Sequence, residues 1–207
     1  MKKYLKLIPV ILFFSCEKSI NNYAIVIHGG AGTVIRENTP KELQKKYEDK
    51  LREALQAGYS ILENGGSSVD AVEKTIKILE DSELFNAGKG SVLTNEETVE
   101  MDASIMTGSD LNAGAVATLK TIKNPISAAR AVMEKSNHVF LSGEGAESFA
   151  KEIGLETVNN NYFITKNQLN QIRKIKENKY GTVGCVALDK SGNITCLLYT
   201  SPSPRDN

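Results

Sequence analysis

What most restricts the fold of this chain is a repeated local unit of short apolar run, glycine-rich loop and signalled helix. Residues 23–27 are a compact apolar run of strand length. They end in His28-Gly29-Gly30-Ala31-Gly32, whose glycines allow positive φ and close backbone approach. Thr39, Pro40 and Glu42 then read as a helix start: a capping hydroxyl, a proline at the first helical position and a glutamate to complete a capping box. Leu43, Tyr47, Leu51, Leu55, Ile61 and Leu62 form the apolar face of that helix, and Asn64-Gly65-Gly66 stops it. A second helix opens at Ser67, with Val69, Val72, Ile76 and Leu79 on one side.

Beyond it, 81–90 reads as an irregular glycine-containing loop, and 99–106 and 113–119 read as strands. Asn124-Pro125 repeats the cap-plus-proline start for a helix through Met133, followed by a short strand at 139–141 and a helical piece at 145–153. Residues 156–180 turn polar, with Asn159-Asn160-Asn161 and a lysine-rich run, and predict a mobile linker. A strand at 182–188 and a turn at 189–192 follow. The order predicts one mixed α/β domain.

Composition narrows the function. The chain has 207 residues, 41% of them hydrophobic, which is enough for one domain with a core. Its 25 basic and 25 acidic residues cancel, which argues against a nucleic-acid binder held by phosphate contacts. The basic cluster at 166–179 is interrupted by Glu177 and reads as a solvated linker or helix face. Cys16, Cys185, Cys196, His28 and His138 have no metal-ligand spacing. Gly88-Lys89-Gly90-Ser91 is not a P-loop, because Gly90 follows the lysine and Glu83 stands where the first glycine belongs.

At the N-terminus, Lys2 and Lys3 precede an apolar stretch at 5–14 that is too short to span a bilayer, and Ser15-Cys16 follows. Residues 1–15 therefore read as a signal peptide. Cys16 matches the acylated cysteine of a bacterial lipoprotein, and 16–22 a spacer behind it. The expectation is an exported protein, periplasmic or in the cell envelope, attached to the membrane by a lipid on Cys16.

Chemistry concentrates at Tyr180-Gly181-Thr182-Val183-Gly184, where a polar stretch runs into a threonine that opens an apolar strand. This arrangement suits a self-cleaving precursor. The Thr182 hydroxyl attacks the Gly181 carbonyl, and glycine permits the backbone strain involved. Hydrolysis then frees the threonine α-amine, whose reference pKa of about 7.7–8.0 suits a base. Nucleophile and base then share one residue.

Five segments occur together in order: IVIHGGAG at 25–32, GGSSVDAVE at 65–73, LFNAGKGSVLT at 84–94, EMDASIM at 100–106 and GTVGCVALDKSGN at 181–193. In these the chain resembles the plant-type asparaginase/isoaspartyl peptidase branch of the N-terminal-nucleophile hydrolases. The resemblance implies an αββα four-layer sandwich, with only the first part present here, and a complete protein that is a dimer of cleaved αβ heterodimers. It implies Thr182 as nucleophile, Gly181–Thr182 as the cleavage bond and Asn86 as a catalytic-site residue beside the nucleophile. His28 becomes a structural part of its turn. The substrate would be L-asparagine or a β-aspartyl dipeptide, with aspartate released. No organic cofactor is implied. A structural sodium ion would be wrapped by the main-chain carbonyls of Leu79, Glu80, Ser82, Phe85, Ala87 and Lys89.

The resemblance also divides the chain: 23–181 corresponds to the α-subunit of the precursor and 182–194 to the start of the β-subunit. Residues 195–207 depart from the pattern. Their run from Cys196 to Asp206 matches the translation of a common transposase sequencing adapter, so the expectation is a truncated, inactive precursor with an artefactual tail. The substrate clamp and the Thr-Gly oxyanion pair have no counterpart in this chain. Two other readings are a glycosylasparaginase-like hydrolase and a non-catalytic exported lipoprotein that keeps the fold.

Overall fold

The computed structural model describes residues 23–30, 36–175 and 182–200. The expected signal peptide, Cys16 with its spacer, Gly181 and most of the expected tail lie outside the described residues. The chain forms β1 (Ala24–His28), α1 (Lys41–Glu63), α2 (Ser68–Glu80), β2 (Met101–Thr107), β3 (Ala113–Leu119), α3 (Pro125–Lys135), β4 (Phe140–Ser142), α4 (Gly143–Glu152), α5 (Lys166–Ile175), β5 (Thr182–Leu188) and β6 (Ile194–Thr200). The strands make one sheet in the order β1-β5-β6-β2-β3-β4. All pairs are antiparallel except β3 with β4. Mixed α/β is therefore the observed class. Of four sandwich layers, the described residues build one sheet and the helical layer packed on it. β6 includes residues 195–200, which sit in the sheet between β5 and β2.

Alternation along each strand decides which face the helices cover. Ile25 and Ile27 of β1 lie opposite Ala187 and Cys185 of β5, and these lie opposite Thr195 and Leu197 of β6. Ile105 and Val116 continue the same buried face across β2 and β3. Glycines bring the helices down onto it. A Cβ at Gly58 of α1 would stand 2.2 Å from Thr75 Oγ1 and 2.5 Å from Ile25 Cδ1, and one at Gly114 would stand 2.2 Å from the Ala129 carbonyl oxygen. Among the described residues, the opposite face is left uncovered. Val26 (68% exposed), Val186 (47%) and Met106 (39%) lie there with the exposed Cys196. Val26 pairs with Val186, Val186 with Cys196 and Cys196 with Met106, so the four make one apolar row across four strands. Such continuous exposed rows generally mark a surface that meets another.

The helix starts correct two sequence expectations. The Thr39–Glu42 capping box does not form: Pro40 is the α1 N-cap, without a side-chain cap. The Thr39 carbonyl instead accepts Gln44 Nε2 at 2.7 Å. Asn124 does not cap α3 with its side chain either, but donates to Asp81 Oδ1 at 3.2 Å. The cap of α3 is the Glu80 carboxyl, whose Oε1 accepts the Ile126 amide at 2.9 Å from 46 residues away. Leu55, expected on the apolar face of α1, is exposed, whereas Ala54, Gly58 and Leu62 are buried. The expected break between α1 and α2 is present. Gly65 takes a φ of 81°, and Ser67 caps α2 by accepting the Asp70 amide at 3.1 Å.

The linker expected at 156–180 is also corrected for its described part, 156–175. Thr157 bridges to Ile122, residues 160–162 make a 3-10 turn, and α5 follows. Asn160 Nδ2 donates to the carbonyls of Val99 at 2.8 Å and Lys120 at 2.9 Å, while its Oδ1 accepts the Val99 amide at 3.0 Å. Phe163 is fully buried, and Thr165, Gln168 and Ile172 are buried beside it. The stretch is polar in composition, but its few apolar groups fall at helical spacing and its amides satisfy backbone groups of the core.

Two polar joints fix the helices to their neighbours. Arg130 of α3 binds Asp70 (2.7 Å) and Glu73 (2.6 Å) of α2 through Nη1, and Glu134 (2.7 Å) through Nε. At the N-terminus of α2, the buried Ser68 hydroxyl meets Thr195 Oγ1 at 2.5 Å. Asp189, in the β5–β6 turn, accepts the amides of Ser191 (2.9 Å), Asn193 (2.9 Å) and Ser68 (3.4 Å). Burial pushes the Asp189 carboxyl up, but these donors outweigh it and hold the group below the usual aspartate range. A carboxyl with a lowered folded pKa contributes stability above its unfolded value and loses it as pH falls through the folded one. Asp189→Asn is therefore expected to cost about 1–2 kcal/mol at pH 7. The gap to wild type should begin to narrow below about 3.9, the ordinary aspartate value, and close only as the pH falls through the lowered folded value. Urea melts of both proteins across the acid range check this.

Candidate active site

Three of the five motifs meet at one end of the sheet. Thr182 is the first residue of β5, its Cα in register with Thr200 of β6, and β5 lies between β6 and β1. Two residues along β5, Gly184 pairs with His28, the last residue of β1. His28 turns back into its own loop, where Nδ1 accepts the Gly30 amide at 3.3 Å. Its imidazole thus serves the turn, as the sequence reading expected. Gly29 brings the next motif into contact. A Cβ there would lie 3.3 Å from both Leu51 Cδ2 and Phe85 Cε1. Phe85 is buried and stacks edge-on against Tyr47, with ring centroids 5.7 Å apart. Asn86 follows it directly, partly buried, with Oδ1 accepting the Val92 amide at 2.8 Å. The fold thus places the start of β5, the exit loop of β1 and the Asn86 loop side by side. Gly181 lies outside the described residues.

The remaining two motifs act as supports. Ser68 of the second joins α2 to Asp189 of the β5–β6 turn and to Thr195 of β6. Asp102 of the fourth, on β2, accepts the Thr118 amide at 2.8 Å, and burial raises its pKa. Thr118 has a φ of 54°. Its hydroxyl, accepting the Gly143 amide at 2.9 Å and donating to the Ala117 carbonyl at 2.8 Å, holds that conformation.

The expected cation ligands can be tested against the shape of their loop. Leu79 and Glu80 end α2, and Gly88, at a φ of 52°, folds the loop back on them. A Cβ at Gly88 would stand 2.2 Å from the Glu80 carbonyl oxygen. One at Gly90 would stand 1.8 Å from that of Phe85 and 3.1 Å from that of Ser82. Three of the six named carbonyls therefore crowd one glycine turn. The Leu79 and Ala87 carbonyls each accept a loop amide, from Ser82 and Gly90, both at 3.1 Å. Main-chain carbonyl oxygens are a donor set that suits a hard cation. The Lys89 ammonium points elsewhere, to Glu83 at 2.9 Å and over the Tyr162 ring at 5.7 Å. The Glu80 side chain also turns away from the loop, to the α3 N-terminus. Burial raises its pKa to about 8.

Sequence reasoning missed Gln168, Ser91 and the Glu80 carboxyl. Thr165-x-x-Gln168 is a capping-box pattern that could have flagged α5. No local signal marks Glu80, whose partner is remote in sequence. A separate cleft of about 700 Å³ is lined by Glu100, Thr118, Lys120, Gly143, Glu147 and Lys151. Four of its charges are paired, Lys120 with Glu100 at 2.9 Å and Lys151 with Glu147 at 3.5 Å, and Glu144 also lines it. None of the residues expected at the active site lines it.

The chain is similar in sequence to known proteins. A family model described as Asparaginase matches residues 21–180. The isoaspartyl peptidase/L-asparaginase of Xenopus laevis is 42% identical over 185 residues, 85% of this chain and 58% of the relative. The human protein of the same name is 43% identical over 189 residues, 86% of this chain and 60% of its own length. The isoaspartyl peptidase of Escherichia coli K12 is 40% identical over 192 residues, 85% and 60% respectively. The chain spans about 60% of the length of these relatives.

Proposed function

The chain belongs to the asparaginase family, and from that membership we propose that it is the precursor portion of a self-cleaving threonine amidohydrolase acting on β-aspartyl peptides, L-asparagine or both. The observation that carries the reading is the position of Thr182 at the head of β5, beside the β1 exit loop and the Asn86 loop. Its hydroxyl attacks the Gly181 carbonyl, the acyl group moves from nitrogen to oxygen, and water hydrolyses the ester. The released α-amine of Thr182 then serves as base for its own hydroxyl. In turnover that hydroxyl attacks the substrate's side-chain carbonyl, the leaving amine departs, and water frees aspartate from the acyl-enzyme. Asn86 shapes the site beside the nucleophile. The resemblance puts the substrate clamp and oxyanion donors in the part of the relatives' length that this chain does not span.

The open apolar row on the sheet supports the sandwich reading, since a second sheet would cover it. The glycine turn at 88–90 supports a structural sodium ion held by the carbonyls of Leu79, Glu80, Ser82, Phe85, Ala87 and Lys89, where it would offset their converging dipoles. No organic cofactor enters the scheme. The N-terminal pattern supports export, removal of 1–15 and a lipid on Cys16 as membrane anchor, and the assembled protein is a dimer of αβ heterodimers.

The test is expression of the complete coding sequence followed by N-terminal sequencing of the products. A fragment beginning at Thr182 is expected, together with hydrolysis of a β-aspartyl dipeptide or of asparagine. Thr182→Ala should leave one uncut chain and lower turnover by about 10³-fold or more. A wild-type product that stays uncut and idle would instead make this a binding module that keeps the fold.

A further inference from the structure

Asn86 is held by a peptide group that another side chain grips from the opposite end. Asn86 Oδ1 accepts the amide of Val92 at 2.8 Å. The carbonyl of that same peptide unit belongs to Ser91, and it accepts a hydrogen bond from Nε2 of Gln168 on α5. Ser91 is fully buried, and its own amide donates to the Gly88 carbonyl at 3.1 Å. Gln168 is itself locked. Its Oε1 accepts the Thr165 amide at 2.8 Å, and its backbone amide donates to Thr165 Oγ1 at 3.3 Å. Gln168 is only 5% exposed, with Phe163 and Ile172 buried near it in the sequence. The carboxamide therefore has one workable orientation. Flipped, it would set oxygen against the Ser91 carbonyl and N–H against the Thr165 amide.

We propose that Gln168 is a positioning residue for Asn86, acting through the plane of the Ser91–Val92 peptide. That unit is planar, so a grip on its carbonyl also sets the direction of its N–H. Donation to the carbonyl polarises the N–H and strengthens its bond to Asn86. The segment whose composition reads as linker is then part of the support of the active site. The inference rests on Asn86 belonging to that site, as proposed above.

Gln168→Leu tests it in the complete gene product, because leucine keeps apolar bulk and removes both polar ends. Amide exchange at Val92 is expected to speed up by about tenfold, and the Asn86 side-chain NMR signals to shift. Self-cleavage and kcat on a β-aspartyl dipeptide are expected to fall by about tenfold with KM unchanged. Added to Asn86→Ala, the substitution should slow turnover no further, which is the signature of one coupled unit. A kcat equal to wild type, a loss confined to KM, or losses that multiply with Asn86→Ala would each overturn the relay. Gln168→Met, unbranched and of similar length, takes over if the leucine variant does not fold. Should the wild type neither cleave nor hydrolyse, the functional reading fails on its own. Val92 exchange and the Asn86 signals then decide the relay: unchanged values refute it, and altered ones uphold it.

Discussion

Replacing Gly90 with alanine is expected to destabilise the fold by about 3 kcal/mol or more. The added methyl would stand 1.8 Å from the Phe85 carbonyl oxygen and 3.1 Å from that of Ser82. Both obstacles are backbone, so no rotamer change relieves the overlap. The 81–90 loop would have to open, carrying Phe85 away from Tyr47 and disturbing the peptide units that hold Asn86. Gly65→Ala is the control. Gly65 has a φ of 81° with nothing within 4 Å of a built Cβ, so only backbone strain is added there. That should cost about 1–2 kcal/mol. Urea melts of the three proteins separate the effects, and a sodium titration at constant ionic strength adds a second readout. If the loop binds sodium, the wild-type midpoint rises with the ion and that of Gly90→Ala does not. Equal melting of Gly90→Ala and wild type would mean that the carbonyls do not converge as described.

Phe163→Ala should cost about 3–5 kcal/mol, the range for deleting a buried aromatic ring. The ring is 0% exposed and meets Tyr162 edge-on, with centroids 5.2 Å apart. In a solvated linker the same change would stay within about 0.5 kcal/mol. The size of the effect therefore tells docked chain from linker at once. A shift in the urea midpoint with an unchanged slope would place the loss in stability alone. A null result would return 156–175 to the linker reading and remove the support on which the Gln168 relay depends.

Much of the architecture was legible because its signals are local. The apolar run before His28 forms β1, Gly65 ends α1, Ser67 caps α2, Pro125 opens α3, and the run after Thr182 forms β5. Strand alternation and the φ limits of glycine and proline act within a few residues, so a single sequence displays them. The five motifs likewise indicated the family, and the fold then brought the first, third and fifth of them together. What the sequence concealed were choices between remote partners. Thr39 and Asn124 have the side chains for capping, yet the α1 N-cap falls on Pro40 and Glu80 supplies the side-chain cap of α3.

The segment at 156–175 shows the same division. Its low hydrophobicity indicates weak self-sufficiency, and that much is correct. Asn160, Phe163 and Gln168 nevertheless bind backbone and core supplied by residues far away in the chain. By itself, the sequence determined the order of elements, the glycine turns and the threonine that opens β5, since these depend on short-range sterics and periodicity. Only the tertiary structure decided which carboxyl caps α3, which amide braces the Asn86 loop and which face of the sheet stays open. A hydrogen bond or a buried face is chosen by what lies across space, and composition along the chain carries no record of that.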